Sequence, residues 1–315
     1  MKKLIQNLDR IFIAGHKGMV GSAILRHLKV AGYQNTLTIS RSDLDLRHTE
    51  SVQKWMTRNK PNVVVIAAAK VGGIYANSIA PTEFLLDNLK IQNNIIESAW
   101  QNGVRRLCFL GSSCIYPKFA KQPITEESLL TGELEPTNSS YAIAKIAGIK
   151  LIESLRSQYG FDGFSLMPTN LYGPGDNYHP QNSHVMAAFI RRFCMAADNS
   201  LSTVTCWGSG KPRREFLHVD DLAAAVIFSL EFWQKDLRNP SFLNVGTGED
   251  ITIKELAEKV ADAAGFSGKI HWDTSKPDGT PRKLLDVSRI LGKGWQPKIS
   301  LNKGIKSVID IWRDS

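Results

Sequence analysis

The first 170 residues alternate short, largely apolar runs with longer stretches of helical period. The apolar runs lie at 11–14, 37–40, 63–67, 107–110 and 164–167. Each reads as a parallel strand apolar on both faces, as strands covered by helices must be. Between them the period lengthens over 18–30, 49–59, 81–102 and 139–159, and Pro81 stands at a first helical position, where its missing N–H costs nothing. This βαβα alternation predicts an α/β fold, a doubly wound parallel sheet of Rossmann type.

Beyond Pro168 the pattern loosens. Residues 172–182 (YGPGDNYHPQN) are dense in Gly, Pro, Asp and Asn and read as loop. A helix is expected at 184–197, a strand at 216–219, a helix at 221–232 and a strand at 242–245. Thr252 followed by Glu255 is a capping-box signature that opens a helix running to 264, with Gly265 ending it. The tail at 303–313 reads as a last helix. We expect residues 1–170, completed by parts of 215–250, to form a dinucleotide-binding domain. Residues 171–315 are expected to form mainly a smaller α/β substrate-binding lobe, interleaved with it.

Charge narrows the choice of partner. Lysine and arginine number 39 against 30 acids, a net charge of +9. A surplus of that size suits polyanionic ligands, although a solvated basic surface explains it as simply. No run of five or more basic residues occurs, which argues for small phosphorylated ligands over nucleic acid. The longest apolar runs are seven residues, at 63–69 and 222–228, against the roughly 20 that a bilayer span needs. The opening MKKLIQNLDR has no apolar core or cleavage site of a secretory signal, so a cytoplasmic protein without membrane partners is expected. Cys108, Cys114, Cys194 and Cys206 show no C-x-x-C spacing and read as reduced thiols, with no metal site implied.

Gly15, His16, Lys17, Gly18, Met19, Val20 and Gly21 follow the first strand and open the first helix. Glycines at i, i+3 and i+6 tighten such a turn and let its N–H groups approach a pyrophosphate, which also meets the positive end of the helix dipole. The second strand ends in Ser40, Arg41 and Ser42, where NAD sites usually carry an acid. Arg41 suits a 2′-phosphate and favours NADP(H); a solvated loop charge is the alternative.

Tyr141 and Lys145 stand four apart on one helical face, with Ser112 twenty-nine residues upstream past the end of the fourth strand. A cation there can lower the phenol pKa and hold a nicotinamide ribose, while the phenol donates a proton to a carbonyl receiving hydride. Cys114, in the same loop as Ser112, is a candidate base, or else a small buried apolar side chain. His184 is the matching candidate acid, or else a polar helix-start residue. Arg191, Arg192, Lys211, Arg213, Arg214, Lys276, Arg282 and Lys283 offer grips for a diphosphate, and Trp207 a surface on which a base or sugar stacks.

Taken together, IFIAGHKGMVGSAI, AAAKVGGI, FLGSSCIYPK, EPTNSSYAIAKIAGIKL, MPTNLYGP, WGSGKPRREFLHVDD and KPDGTPRKLLDV make the chain resemble the GDP-L-fucose synthase family over nearly its whole length. These are extended short-chain dehydrogenases/reductases, and GSSCIYP and KPDGTPRK are more specific than the superfamily's generic motifs. The resemblance implies a bifunctional enzyme, a 3,5-epimerase and 4-reductase acting on GDP-4-keto-6-deoxy-D-mannose with NADPH. It implies Ser112, Tyr141 and Lys145 as the reductase triad, and Cys114 and His184 as the epimerase base and acid. It implies Arg192, Trp207, Arg214, Asp278 and Lys283 as nucleotide-sugar contacts. Leu110, Gly111, Ser112 and Ser113, with Pro168, Thr169, Asn170, Leu171 and His184, would line the nicotinamide side of the cofactor. A homodimer formed through the two long helices is also implied. One departure is Lys17, a point charge where some relatives carry the arginine fork.

Overall fold

A computed structural model of the chain describes residues 2–180, 182–234, 241–276 and 278–314, with Ile74 and Tyr75 described by their backbone alone. Gln181 of the predicted loop and Pro277 of the KPDGTPRK segment lie outside the described residues. The elements are β1 (Ile11–Ala14), α1 (Met19–Val30), β2 (Thr36–Leu37), α2 (Thr49–Asn59), β3 (Val63–Ile66), α3 (Ile74–Ile79), α4 (Pro81–Gln101), β4 (Arg106–Leu110), α5 (Ser139–Tyr159), β5 (Gly163–Pro168) and β6 (Asn170–Tyr172). They continue with α6 (Val185–Asp198), β7 (Thr203–Trp207), β8 (Arg213–His218), α7 (Val219–Phe232), β9 (Phe242–Val245), β10 (Asp250–Thr252), α8 (Ile253–Ala264), β11 (Lys269–Asp273), β12 (Arg282–Lys283), α9 (Ser288–Gly292) and α10 (Leu301–Arg313).

Six strands form a parallel sheet in the order β2-β1-β3-β4-β5-β9. Every residue of β1, β3, β4, β5 and β9 is buried, which is why these strands are largely apolar, with Arg106, Ser165 and Asn244 the buried polar exceptions. Helix α1 packs on α7, while α2 packs on α4 and α4 on α5, so helices cover the sheet. The chain leaves β1 toward β2 on one side and returns to β3 on the other. That reversal opens a crevice at the carboxyl ends of the strands, the usual ligand position in such sheets.

A second apolar cluster lies in the C-terminal half, built from Phe189, Phe193, Leu256, Val260, Ile305 and Val308 among others. Around it β8 pairs with β6, β10 and β12, and β7 pairs with β11. The capping box is present: Thr252 accepts from the Glu255 N–H at 3.0 Å, and Glu255 accepts from the Thr252 N–H at 2.7 Å. Gly265 closes α8 at φ 74°, a left-handed conformation that a residue with a Cβ adopts only at a cost.

Several expectations need correction. The strand expected at 37–40 is only Thr36–Leu37, because it is a sheet edge whose one partner, β1, pairs with those two residues alone. The strand expected at 216–219 is β8, which starts three residues earlier, held there by β10 and β12; Val219 already belongs to α7. Tyr172 ends β6 rather than opening the loop, and the last helix begins at Leu301. No helix among the described residues is long and apolar enough to cross a membrane.

Candidate active site at the crevice

The turn after β1 is built by two steric demands. Gly15 has φ +88°, and a Cβ there would sit 2.7 Å from the Ala68 backbone. A Cβ on Gly21 would meet the Gly15 carbonyl oxygen at 2.1 Å. Gly18 differs, since a Cβ there touches only the Gly15 oxygen at 3.5 Å. The protein itself does not forbid a side chain at Gly18, so its smallness opens the outer side of the turn. The first turn of α1 has no acid, and its N-cap offers no side-chain bond to the N–H groups there. Nδ1 of His16 is buried without a partner among the described residues. This donor set at a helix N-terminus fits a dinucleotide pyrophosphate.

Past β2, Arg41 is exposed. The acids that follow are engaged locally: Asp43 accepts from Ser40 Oγ, and Asp45 is held by Arg47 at 2.6 Å.

Helix α5 lies close on β4 because Gly148 has no side chain; a Cβ there would be 2.8 Å from the Phe109 ring. From α4, Gln92 Nε2 donates to the Ala144 carbonyl at 2.5 Å. This packing sets Lys145 beside the end of β4, where Nζ donates to the Leu110 carbonyl at 2.8 Å. Nζ also lies 4.6 Å from the Phe109 ring centroid and 5.7 Å from that of Tyr141. Burial pushes the Lys145 pKa down to about 7. The Tyr141 phenol is raised above its ordinary value, chiefly by burial, against a hydrogen bond with Ser112 that lowers it. This corrects the expectation of a cation lowering the phenol: the Lys145 ammonium is turned to Leu110 and the ring faces, and desolvation wins. At neutral pH the phenol therefore holds its proton.

Ser112, two residues past the end of β4, caps a 3₁₀ turn, Ser113–Ile115, with its Oγ accepting the Cys114 N–H at 3.2 Å. Cys114 is half-buried and reached from two directions. Asn138 Nδ2 is 3.4 Å from its Sγ, and Lys283 Nζ is 3.8 Å away. Cys108, inside β4, is fully buried and its thiol is raised by burial, which removes it as a rival base.

Lys283 arrives on β12, which pairs with β8 so that Lys283 lies opposite Arg214. The buried Glu215 carboxylate ties this junction together, accepting N–H groups from Thr247 at 2.6 Å, Gly248 at 2.8 Å and Leu285 at 3.0 Å. Arg192 lies 5.6 Å from the Trp207 ring and donates to the Thr205 carbonyl at 3.2 Å. Burial lowers both Arg192 and Arg214, and neither has a carboxylate bonded to it among the described residues. Arg213 and Arg282 are excluded as grips, since Asp250 holds both, at 2.9 and 2.5 Å. Asp278 accepts the N–H and Oγ–H of Ser209, at 2.9 and 2.6 Å, which anchors residues 278–283 to the turn after β7.

Ser112, Cys114, Tyr141, Lys145 and Lys283 thus meet in one place. No hydrogen bond joins His184 to Cys114 among the described residues; His184 is the exposed N-cap residue of α6, and desolvation lowers its pKa. The chain just before it contacts the loop after β3, with Gly73 N–H donating to the Asn182 carbonyl at 3.3 Å. Thr169 and Asn170 donate to the Glu215 carbonyl, at 3.2 and 2.8 Å. The sequence reading missed Asn138 and Glu215; a helix-start asparagine and a strand glutamate carry no signal of what their side chains meet. Among the described residues no group of His, Cys, Asp and Glu forms a metal site.

Comparison with known proteins gives consistent results. A family model described as the NAD dependent epimerase/dehydratase family matches residues 11–246. GDP-L-fucose synthase of Escherichia coli strain K12 is 54% identical over 95% of this chain and 95% of its own. GDP-L-fucose synthase 1 of Arabidopsis thaliana is 53% identical over 96% of this chain and 92% of its own. Among solved structures, a GDP-mannoheptose C4 reductase from Campylobacter jejuni with NADP bound superposes with a TM-score of 0.89, at 37% identity over 99% of this chain and 100% of that one.

Proposed function

Because the chain belongs to the NAD dependent epimerase/dehydratase family, we propose for it the activity that its curated relatives are named for, GDP-L-fucose synthesis. The substrate is GDP-4-keto-6-deoxy-D-mannose, which is epimerised at C3 and C5 and then reduced at C4. The observation that carries this reading is the meeting of a thiol, Cys114, and a hydroxyl, Ser112, on the turn after β4 with a phenol, Tyr141, of α5 that is hydrogen-bonded to Ser112.

A C4 ketone acidifies the C–H bonds at both C3 and C5, so one base beside the sugar serves both centres. Cys114 removes each proton in turn. The negative charge that develops on the C4 oxygen is held by the Tyr141 and Ser112 hydroxyls. His184 delivers its own, solvent-exchangeable proton from the opposite face, and Cys114 gives up the one it took to solvent. NADPH, when bound, supplies hydride to C4, and the glycine turn at 15–21, Arg41 and Lys145 would hold it. Tyr141 then gives its proton to the C4 oxygen. Residues 1–170 with parts of 215–250 serve the cofactor, and residues 171–315 bind the nucleotide. Arg192 and Arg214 take the diphosphate beside Trp207, with Lys283 next to the sugar, so binding energy from the GDP end positions the reacting end.

A homodimer through α4 and α5 is part of this reading, supported by Leu86 and Ile143, about half-exposed on those helices. Four free cysteines fit a reducing cytoplasm. The experiment that tests the function is incubation with the keto-sugar and NADPH, with the product identified by NMR: GDP-L-fucose is expected, and recovery of unchanged keto-sugar contradicts the reading.

Arg41→Ala should weaken NADPH binding by about tenfold or more and leave NADH binding unchanged, measured by fluorescence titration. Equal loss for both cofactors would assign Arg41 no contact with the 2′-phosphate. Arg214→Ala should raise KM for the GDP-sugar by about tenfold to a hundredfold, the worth of a charge-assisted hydrogen bond. GDP inhibition that is unchanged in this variant would move the diphosphate elsewhere.

A further inference from the structure

Asn138 occupies the N-cap position of α5, where asparagine usually bonds the helix's own N–H groups. Here its side chain makes no such bond. The Nδ2 group donates to Cys114 Sγ at 3.4 Å instead, and Oδ1 is buried with no partner among the described residues. The side chain is thus withdrawn from the protein's own framework and turned to the reacting thiol. Its backbone is fixed on both sides. Pro136–Asn138 is a 3₁₀ turn, the Asn138 N–H donates to the Glu135 carbonyl at 3.2 Å, and Lys118 and Thr280 hold the Glu135 carboxylate at 3.0 and 3.3 Å.

We propose that Asn138 is a positioning residue for the epimerase half of the reaction, its amide N–H holding the Cys114 sulfur in place as an anionic base. The inference rests on the function proposed above and deepens it. A thiolate only accepts hydrogen bonds, so the NH₂ end of the amide is the end that must face it. The Lys283 ammonium approaches the same sulfur, at 3.8 Å. Asn138 supplies direction where the flexible lysine supplies charge.

The test compares wild type with Asn138→Ala and Asn138→Asp, each checked for folding by its thermal transition. Aspartate keeps the size and the oxygen but loses the donor and sets a negative charge beside the sulfur. The first readout needs neither sugar nor cofactor: the rate at which iodoacetamide alkylates Cys114 at neutral pH, followed by peptide mass spectrometry. The second is the ratio of deuterium wash-in at C3 and C5 of the keto-sugar to hydride transfer, the latter measured in reverse with GDP-L-fucose and NADP⁺. We expect both quantities to fall by about tenfold in Asn138→Ala and further in Asn138→Asp. A role in packing alone predicts the opposite order, with aspartate close to wild type, and that order would overturn the proposal. A wild type that exchanges no deuterium would overturn the assigned activity instead, while the alkylation rates would still decide the role of Asn138.

Discussion

Tyr141→Phe should remove ketone reduction, with turnover of NADPH falling by about 10²–10⁴-fold, the usual worth of a positioned proton donor. The variant should remain folded. Among the described residues the phenol hydroxyl bonds the Ser112 side chain alone, and one such bond contributes about 1 kcal/mol. Cofactor binding should also persist, because Lys145 is fixed by the Leu110 carbonyl and the Phe109 ring, neither of which involves the phenol oxygen. Deuterium should still enter C3 and C5, though more slowly, since Ser112 still holds the enolate oxygen. Stopped-flow absorbance of NADPH together with NMR of the recovered sugar separates the two steps. Near-normal reduction by the variant would remove Tyr141 from the role of acid.

Cys114→Ser should do the reverse. A serine hydroxyl is scarcely ionised at neutral pH without a base of its own, and neither Asn138 nor Lys283 supplies one here. Wash-in of solvent deuterium should fall by about 10²-fold or more. Hydride transfer does not use the thiol, so oxidation of GDP-L-fucose by NADP⁺ should survive within a few-fold of wild type. With the keto-sugar and NADPH, the variant should slowly release a 6-deoxy sugar unchanged in configuration at C3 and C5. Exchange at the wild-type rate would assign the base to another group, and His184 would be the first to examine.

Much of this site is legible from the chain alone, for local reasons. The glycine turn is written in consecutive residues because its steric demands, Gly15 against Ala68 and Gly21 against Gly15, arise within one βαβ unit. The spacing of Tyr141 and Lys145 is a property of one helix. Helices α2 and α5 and strands β1 and β9 stand where the apolar period puts them. What was not legible depends on residues far apart in sequence. Lys283 lies 169 positions from Cys114 and meets it only because β12 pairs with β8. Strands β10 and β12 have little apolar pattern to betray them. They form beside β8, where Asp250 joins Arg213 and Arg282. The direction of the Tyr141 shift is not legible for the same kind of reason. Sequence shows a cation four residues away, but not that burial governs the phenol or that Lys145 is spent on a carbonyl.

The central claim is that one set of residues carries out both chemistries on the same sugar. The most direct test is a single incubation of the wild type with GDP-4-keto-6-deoxy-D-mannose and NADPH in heavy water, read by NADPH absorbance and by mass and NMR analysis of the product. The account predicts one NADPH consumed for each GDP-L-fucose formed, with solvent deuterium at both C3 and C5 and none at C4. Deuterium at those carbons without net NADPH consumption, or reduced product with no deuterium at either carbon, would contradict it.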